Sequence, residues 1–488
     1  MLYDLPKRQK MKAREIALSV LLFVLYFLIV SLVCNLSAMI DGEFLSLLKH
    51  SPERFLYLEI SLGFLVIIAY YYFFFENVGV LIKTGRTVMV LSIVLLNFAG
   101  DYLLAKYVSV YARPMALAAL LALALVGRKE AIFLNVFSCL TTFLCDSYRM
   151  SGGYDADLYI FVIVAFVTGM LAIYLASGMR SRAKTILLGF ILALPSAIAC
   201  YLLSGFTVEA LKKSAIYGLT AGLGSAVLYV AFLPFFEAVF NVVTNYRLYE
   251  ITDHNAPLMR RLIKEAPGTF NHSLVVATLA EACATAIGVN PELARACAYY
   301  HDVGKLEHPE YFKENQHGVN PHDSLDPELS TNIIRQHARY GKELIEKERL
   351  PQILADVAQQ HHGTLPIRYF YSRAARLTDG HLDIKKFCYY GPKPQTKVAA
   401  IIMICDASEA VSRTLSDRSR SAVDHAVKKI IEERLDFDQF NDCPITMQEL
   451  YTLRTTLVDN ISMVYHERIA YPKFKFVKED DTLPEEKK

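Results

Sequence analysis

Eight times between Ile16 and Phe236 the chain returns to an apolar run close to the length that carries an α-helix across a bilayer, about 20 residues. The runs are Ile16–Cys34, Phe55–Phe75, Val88–Ala105, Val108–Val126, Ala131–Ser147, Leu158–Ser177, Thr185–Ser204 and Ala215–Phe236. The third to fifth are short or carry Asp101, Arg113 or Asp146, so the count is seven to eight. The first run is too long for a removable signal peptide and lacks a small-residue cleavage site, so a retained anchor is expected. Lys7, Arg8, Lys10, Lys12 and Arg14 precede it and place the N-terminus in the cytoplasm by the positive-inside rule. Lys83 and Arg86, Arg128 and Lys129, and Arg180, Arg182 and Lys184 then fall inside, while Asp41, Glu43, Asp155 and Asp157 fall outside. Lys212 and Lys213 fall on the wrong side. Eight crossings return the chain to the cytoplasm.

Past Asn245 the composition changes. Of 13 histidines only His50 precedes residue 250, so the mean hydropathy of +0.28 averages two halves suited to different solvents. The net charge of +2 gives no sign of a nucleic-acid polymer as partner. Nine scattered cysteines, with no CxxC, read as small buried thiols rather than a disulfide framework. Glu59, Asp101, Arg113 and Asp146 lie near span ends and are expected at the interface. Gly218 and Gly222 form a GxxxG suited to close helix packing.

The expected fold is all-α. A basic segment (1–15) leads into a polytopic membrane domain (16–240), then a connector (241–266), an all-helical domain (267–475) and a solvated tail (476–488). In the polar half apolar residues recur every three or four positions and no alternating strand appears. His272, His301, His337, His361, His362 and Asp406 fall on or beside the stripes that should face the core. Asp302 adjoins His301. One such histidine is ordinarily a hydrogen-bonded core residue. A buried carboxylate needs an opposite charge, and "AAIIMICDASEA" around Asp406 has none nearby. A metal centre explains all of them at once. Nitrogen and oxygen donors without thiolate suit iron, manganese or another octahedral divalent ion. Asp302 can bridge two ions, one carboxylate oxygen toward each, and such a pair can activate water and stabilise in-line displacement at phosphorus.

The ordered set His272, His301-Asp302, His337, His361-His362, Asp406 resembles the HD phosphohydrolase superfamily in its two-metal form. "APGTFNHS", "AYYHDVGKLEHPEYFKENQ", "NPHDSLDPELS" and "QQHHGT" resemble one branch, the bacterial seven-transmembrane HD phosphodiesterases that hydrolyse cyclic di-AMP. The likeness covers most of Leu211–Tyr471 at motif level. That branch carries a large extracytoplasmic domain after its first span, where this chain has only Asn35–Arg54. The resemblance implies that His272, His301, Asp302 and Asp406 bind one ion, and Asp302, His337, His361 and His362 the other. It implies a cytoplasmic hydrolase domain on a multi-pass protein of the inner (plasma) membrane, opening cyclic di-AMP to the linear dinucleotide. Asp302 and Lys305 are the expected catalytic residues, the lysine acting on the scissile phosphate or leaving alkoxide. The Gly-Tyr-Pro motif of the c-di-GMP branch is replaced here by "HHGTLPIRYFYSRA".

Glu314–Ser330 reads as a loop closing over substrate, with His322-Asp323 a weaker metal candidate. Arg368, Tyr369, Phe370, Tyr371 and Arg373 can stack adenine and contact phosphate, or simply pack as a helix. Residues 381–397 read as a loop near the site. His308, His317, His381, His425 and His466 are assigned to surface or structure. The expected partners are cyclic di-AMP and the lipid bilayer; a homo-oligomer stays open. Two alternatives are an HD hydrolase of another cyclic dinucleotide or nucleotide phosphate ester, and a non-catalytic nucleotide-binding membrane receptor.

Overall fold

The computed structural model describes the chain apart from residues 1–10, 41–43, 46–48, 50, 150–155, 180, 317, 378–381, 418 and 465–488. The disordered-tail expectation, Lys7, Arg8, Lys10, Asp41, Glu43, Asp155 and Arg180 lie outside the described residues, as do His50, His317, His381 and His466. Among the described residues every regular element is a helix, with a single antiparallel bridge between Pro366 and Cys388. Two compact units emerge. One comprises residues 1–265 with 342–356, the other 266–341 with 357–488.

Among the described residues of the first unit, seven helices are long and apolar enough to cross a membrane. They are α1 (Ala13–Ile40), α2 (Pro52–Glu76), α3 (Thr84–Tyr107), α5 (Arg128–Arg149), α6 (Ala156–Ala176), α7 (Arg182–Leu203) and α8 (Val208–Phe240). The fourth expected span, Val108–Val126, is not a continuous helix. A 3-10 turn at Val110–Ala112 is followed by Arg113 in an extended conformation (φ −62°, ψ 143°), and α4 (Leu117–Leu125) has nine residues. Pro114 explains the break: its ring keeps the preceding residue out of the helical region, and it has no N–H to donate.

The short segment nevertheless runs back through the bundle. Asn97 Nδ2 donates to Ser138 Oγ at 3.0 Å and Thr142 Oγ1 to Asp101 Oδ2 at 3.0 Å. Both partners advance together along the sequence, so α3 and α5 are parallel. At the opposite end Asn77 Nδ2 donates to Glu130 Oε1 at 2.6 Å, placing the start of α5 beside the end of α2. Two parallel helices in succession require the link between them to traverse the bundle. Buried along most of its length, α4 tolerates its broken approach. The Ala118 N–H, which has no partner within its own helix, donates to Asn97 Oδ1 at 3.0 Å, and the Ala116 N–H to Ser225 Oγ at 3.3 Å.

Two of the four membrane charges are enclosed by protein. Arg113 is 1% exposed and makes a two-pronged pair with Asp146 at 2.6 and 2.9 Å, its guanidinium 4.2 Å from the Phe161 ring centre. Asp101 is 3% exposed and bonded to Asn97 and Thr142. The interrupted helix supplies the arginine from inside the bundle, where a pairing partner is obligatory.

The connector is ordered into α9 (Asn245–Ile251) and α10 (Pro257–Glu265). In the second unit α11 (Pro267–Ala286) packs on α12 (Pro291–Tyr300), α16 (Lys397–Thr414) and α18 (Met447–Val464). Val276, Leu279, Cys283, Cys297, Ile401, Ile402 and Ile404 bury completely or nearly so. The helix starts are written locally. Pro291 follows Asn290, whose side chain accepts from the Leu293 N–H, and Thr396 caps α16 by accepting from the Ala399 N–H. The remaining helices are α13 (Pro327–Lys347), α14 (Gln352–Gln360), α15 (Arg368–Leu377) and α17 (Arg420–Asp436).

Candidate metal centre

Five helices deliver the seven side chains. His272 projects from α11, His301 caps the end of α12, and Asp302 begins the 3-10 turn Val303–Glu307. His337 stands on α13, His361 and His362 just past α14, and Asp406 on α16. Asp302, His337, His361 and His362 form one group of potential metal ligands and His272, His301 and Asp406 another, the atoms of each within 4.8 Å of one another.

Asp302 lies between them. Its Oδ2 is 3.3 Å from His301 Nε2 and 3.7 Å from His272 Nε2. Its Oδ1 is 3.3 Å from His337 Nε2 and 3.5 Å from His361 Nε2. The second carboxylate, Asp406, is 3.1 Å from His272 Nε2 and 3.8 Å from His362 Nδ1.

The imidazoles are oriented from behind. His301, His337 and His361 each place Nδ1 on the carbonyl three residues earlier, Ala298, Ile334 and Ala358, at 2.6, 2.6 and 2.8 Å. A carbonyl only accepts, so Nδ1 carries the proton and the Nε2 lone pair faces the centre. His272 turns its Nδ1 to Glu409 Oε2 at 2.7 Å. These are the contacts that orient metal-ligating histidines.

Protein alone leaves the centre unsatisfied. His301 Nε2 and Asp302 Oδ1 are buried without a hydrogen bond. Burial holds His361 and His362 below the ordinary imidazole range, favouring the neutral form that ligates. Burial would raise the Asp302 pKa, but Lys305 and His301 hold it well below the usual carboxylate range. For Asp406 burial is likewise overcome, by His272. Buried nitrogen and carboxylate donors converging from both sides of one carboxylate fit a pair of octahedral divalent ions.

Lys305 is not a solvated lysine. Its ammonium contacts Asp302 Oδ2 and Glu314 Oε1, each at 2.7 Å, and sits 4.9 Å from the Phe312 ring centre. Burial opposes its charge, yet the two carboxylates raise its pKa above the ordinary value. Glu314, Glu409 and Tyr389 were not singled out from sequence. Glu409 follows Asp406 by one helical turn, a signal the sequence did contain. Tyr389, from the loop before α16, stacks on His362 with ring centres 4.3 Å apart.

His322 is buried, its Nε2 on the Tyr311 carbonyl at 3.1 Å, and belongs to neither ligand group. Arg373 donates to the carbonyls of His322 and Asp323, and Phe370 packs on the His322 ring. Tyr369 stays exposed.

Both halves of the chain are similar to known proteins. The HD domain family matches residues 269–411, and the family described as a 7TM receptor with intracellular HD hydrolase matches residues 54–244. The cyclic-di-AMP phosphodiesterase PgpH of Bacillus subtilis is 32% identical over 85% of this chain and 60% of its own length. The protein of the same name from Listeria monocytogenes is 36% identical over 74% of this chain and 50% of its own length. The chain thus spans about half to three-fifths of these relatives. The crystal structure of the L. monocytogenes PgpH HD domain in complex with cyclic di-AMP is 43% identical, covering 44% of this chain and 100% of that one, with a TM-score of 0.42.

Proposed function

Since this chain belongs to the family of seven-transmembrane proteins with an HD hydrolase, we propose that it is a membrane-anchored, two-metal phosphodiesterase that opens cyclic di-AMP to the linear dinucleotide. The observation that carries the reading is Asp302, whose two oxygens each face a separate set of imidazoles. The relatives named for this activity support the substrate. The hydrolase occupies residues 267–475, and iron or manganese suits its donors.

His272, His301, Asp302 and Asp406 would hold one ion, and Asp302, His337, His361 and His362 the other. Metal bound there would supply a water acidic enough to attack phosphorus at neutral pH and positive charge beside the non-bridging oxygens. The four oriented imidazoles hold their Nε2 atoms in place before substrate arrives. Lys305, tethered by Glu314, keeps a permanent positive charge within reach of the phosphate and offsets negative charge that develops on the leaving oxygen.

Lys83 just before α3, Arg86 in its first turn, and Arg128, Lys129, Arg182 and Lys184 in the first turns of α5 and α7 mark one face of the bundle, which we assign to the cytoplasm of a cell whose inner membrane holds the protein. The hydrolase follows α8, which ends on that face: Arg182, at the start of α7, pairs with Glu237 near the end of α8.

The test is turnover of cyclic di-AMP against cyclic di-GMP by the full chain in detergent, loaded with iron or manganese. Asp302→Ala should abolish turnover and reduce bound metal. Lys305→Ala should slow turnover with metal content near normal. Wild-type activity in the Asp302 variant would reject the site, and binding without turnover in metal-replete protein would favour a receptor.

A further inference from the structure

Helices α1 and α5 lie side by side and run the same way. Tyr26 Oη pairs with Thr141 Oγ1 at 3.3 Å, and Tyr148 Oη donates to Asn35 Oδ1 at 2.8 Å. Between those two contacts Cys34 and Cys145 face each other with their sulfurs 2.7 Å apart. Even carbon atoms, smaller than sulfur, stay roughly 3.5–4 Å apart in non-bonded contact, whereas a disulfide bond measures about 2 Å. Both cysteines are buried, at 1% and 3% exposure, and no other side chain comes between them. The flanking hydrogen bonds fix the register on either side, so neither helix can slide to relieve the crowding. Two free thiols would have to part the helices; one bond between them would not.

We propose that Cys34 and Cys145 are joined by a disulfide in the mature protein, strapping the first helix covalently to the bundle. Both lie toward the helix ends opposite those basic residues, the face that the sidedness proposed above puts outside the cytoplasm. There a protein-borne disulfide can act as oxidant. The Cys34 thiolate attacks it, forming a mixed disulfide and expelling one thiolate. The Cys145 thiolate then displaces the second thiolate and closes the Cys34–Cys145 bond. Two thiol protons end on the two expelled thiolates, and the oxidant leaves as a dithiol. Because the finished pair is buried, exchange occurs before α1 closes on α5. The strap spans 111 residues of sequence and leaves the metal centre chemically untouched.

The experiment is differential thiol labelling of the full chain in native membranes. Membranes are quenched with one maleimide under denaturing conditions, then reduced and labelled with a second maleimide of different mass. Peptide mass spectrometry should find only the second label on Cys34 and Cys145, and the first label on Cys139 and Cys200. In Cys34→Ser, Cys145 should move to the first label. First label on both cysteines of the wild type would overturn the proposal, as would a bond that appears only after an added oxidant. Labelling is read without substrate, so its failure is distinct from failure of the hydrolase reading.

Discussion

Gly304→Ala should cripple the centre without touching a ligand. A Cβ at Gly304 would stand 1.9 Å from the His337 carbonyl oxygen, 2.4 Å from the Gly341 nitrogen and 2.9 Å from the His337 carbonyl carbon. All three are backbone atoms, so no side-chain rotation relieves the clash. Ordinary contact begins near 3.4 Å, and 3.4 less 1.9 leaves 1.5 Å by which the two backbones must part. That movement separates Asp302 from His337, now 3.3 Å apart across the centre. A misplacement of about 1 Å costs roughly 100-fold in rate, equal to about 2.7 kcal/mol of transition-state stabilisation. Overpacking against backbone should cost about 3 kcal/mol of stability, the upper end of the usual range. For a unit of this size that is a fall in melting temperature of about 6–12 °C. Gly341→Ala is the internal control. Its Cβ would meet the Gly304 nitrogen at 3.3 Å and Ala358 Cβ at 3.4 Å, which small shifts absorb, so its rate should stay within about threefold. The assay is kcat for cyclic di-AMP with metal content and thermal unfolding of the purified full chain. A Gly304→Ala protein with wild-type kcat and a full metal complement would refute the reasoning.

Three further outcomes follow from the geometry. Glu409→Ala removes the acceptor behind His272 and should weaken metal binding by about 10–100-fold in chelator competition; Glu409→Gln, which still accepts, should recover part of it, and unchanged affinity in both would remove Glu409 from the centre. Burial depresses the His272 pKa, but Asp406 and Glu409 outweigh it and set it at about 10. Metal-free protein at pH 7 therefore holds a proton there that an ion must displace, so metal affinity should rise from pH 6 to pH 9; a flat profile by titration calorimetry contradicts this. The stability sign is the reverse: with the folded pKa above the ordinary 6.5, the contribution is complete below 6.5 and fades as pH rises through about 10. In the membrane unit, a Cβ at Gly222 would meet the Ala193 nitrogen and the Gly189 oxygen at 2.3 Å, so Gly222→Leu should force α7 from α8 and deplete folded protein from the membrane fraction. Gly224→Leu, with nothing within 4 Å, should not.

Much of the architecture was written in local pattern. Hydropathy over some 20 residues marks a membrane helix because the bilayer acts on each segment separately. Seven of the eight runs became such helices. The eighth, Val108–Val126, carries Arg113-Pro114 in its first half. Its crossing, however, is fixed only by the contacts that make α3 and α5 parallel. The histidines and Asp406 were legible for a related reason: polar groups on an apolar stripe need a shared explanation, and stripe position is a short-range property.

By itself, then, the sequence determined an all-helical chain in two halves and pointed to seven polar side chains that the fold brings into two adjoining groups. Tertiary structure decided what surrounds them. It set Glu409 behind His272 across 137 residues, Glu314 beside Lys305, and Asp146 against an arginine buried inside the bundle. The reason is physical. Helical periodicity and hydropathy act between neighbours a few residues apart, so they leave their mark on the local sequence. A hydrogen bond or ion pair between distant segments depends on where whole helices come to rest, and single-residue chemistry carries no record of that.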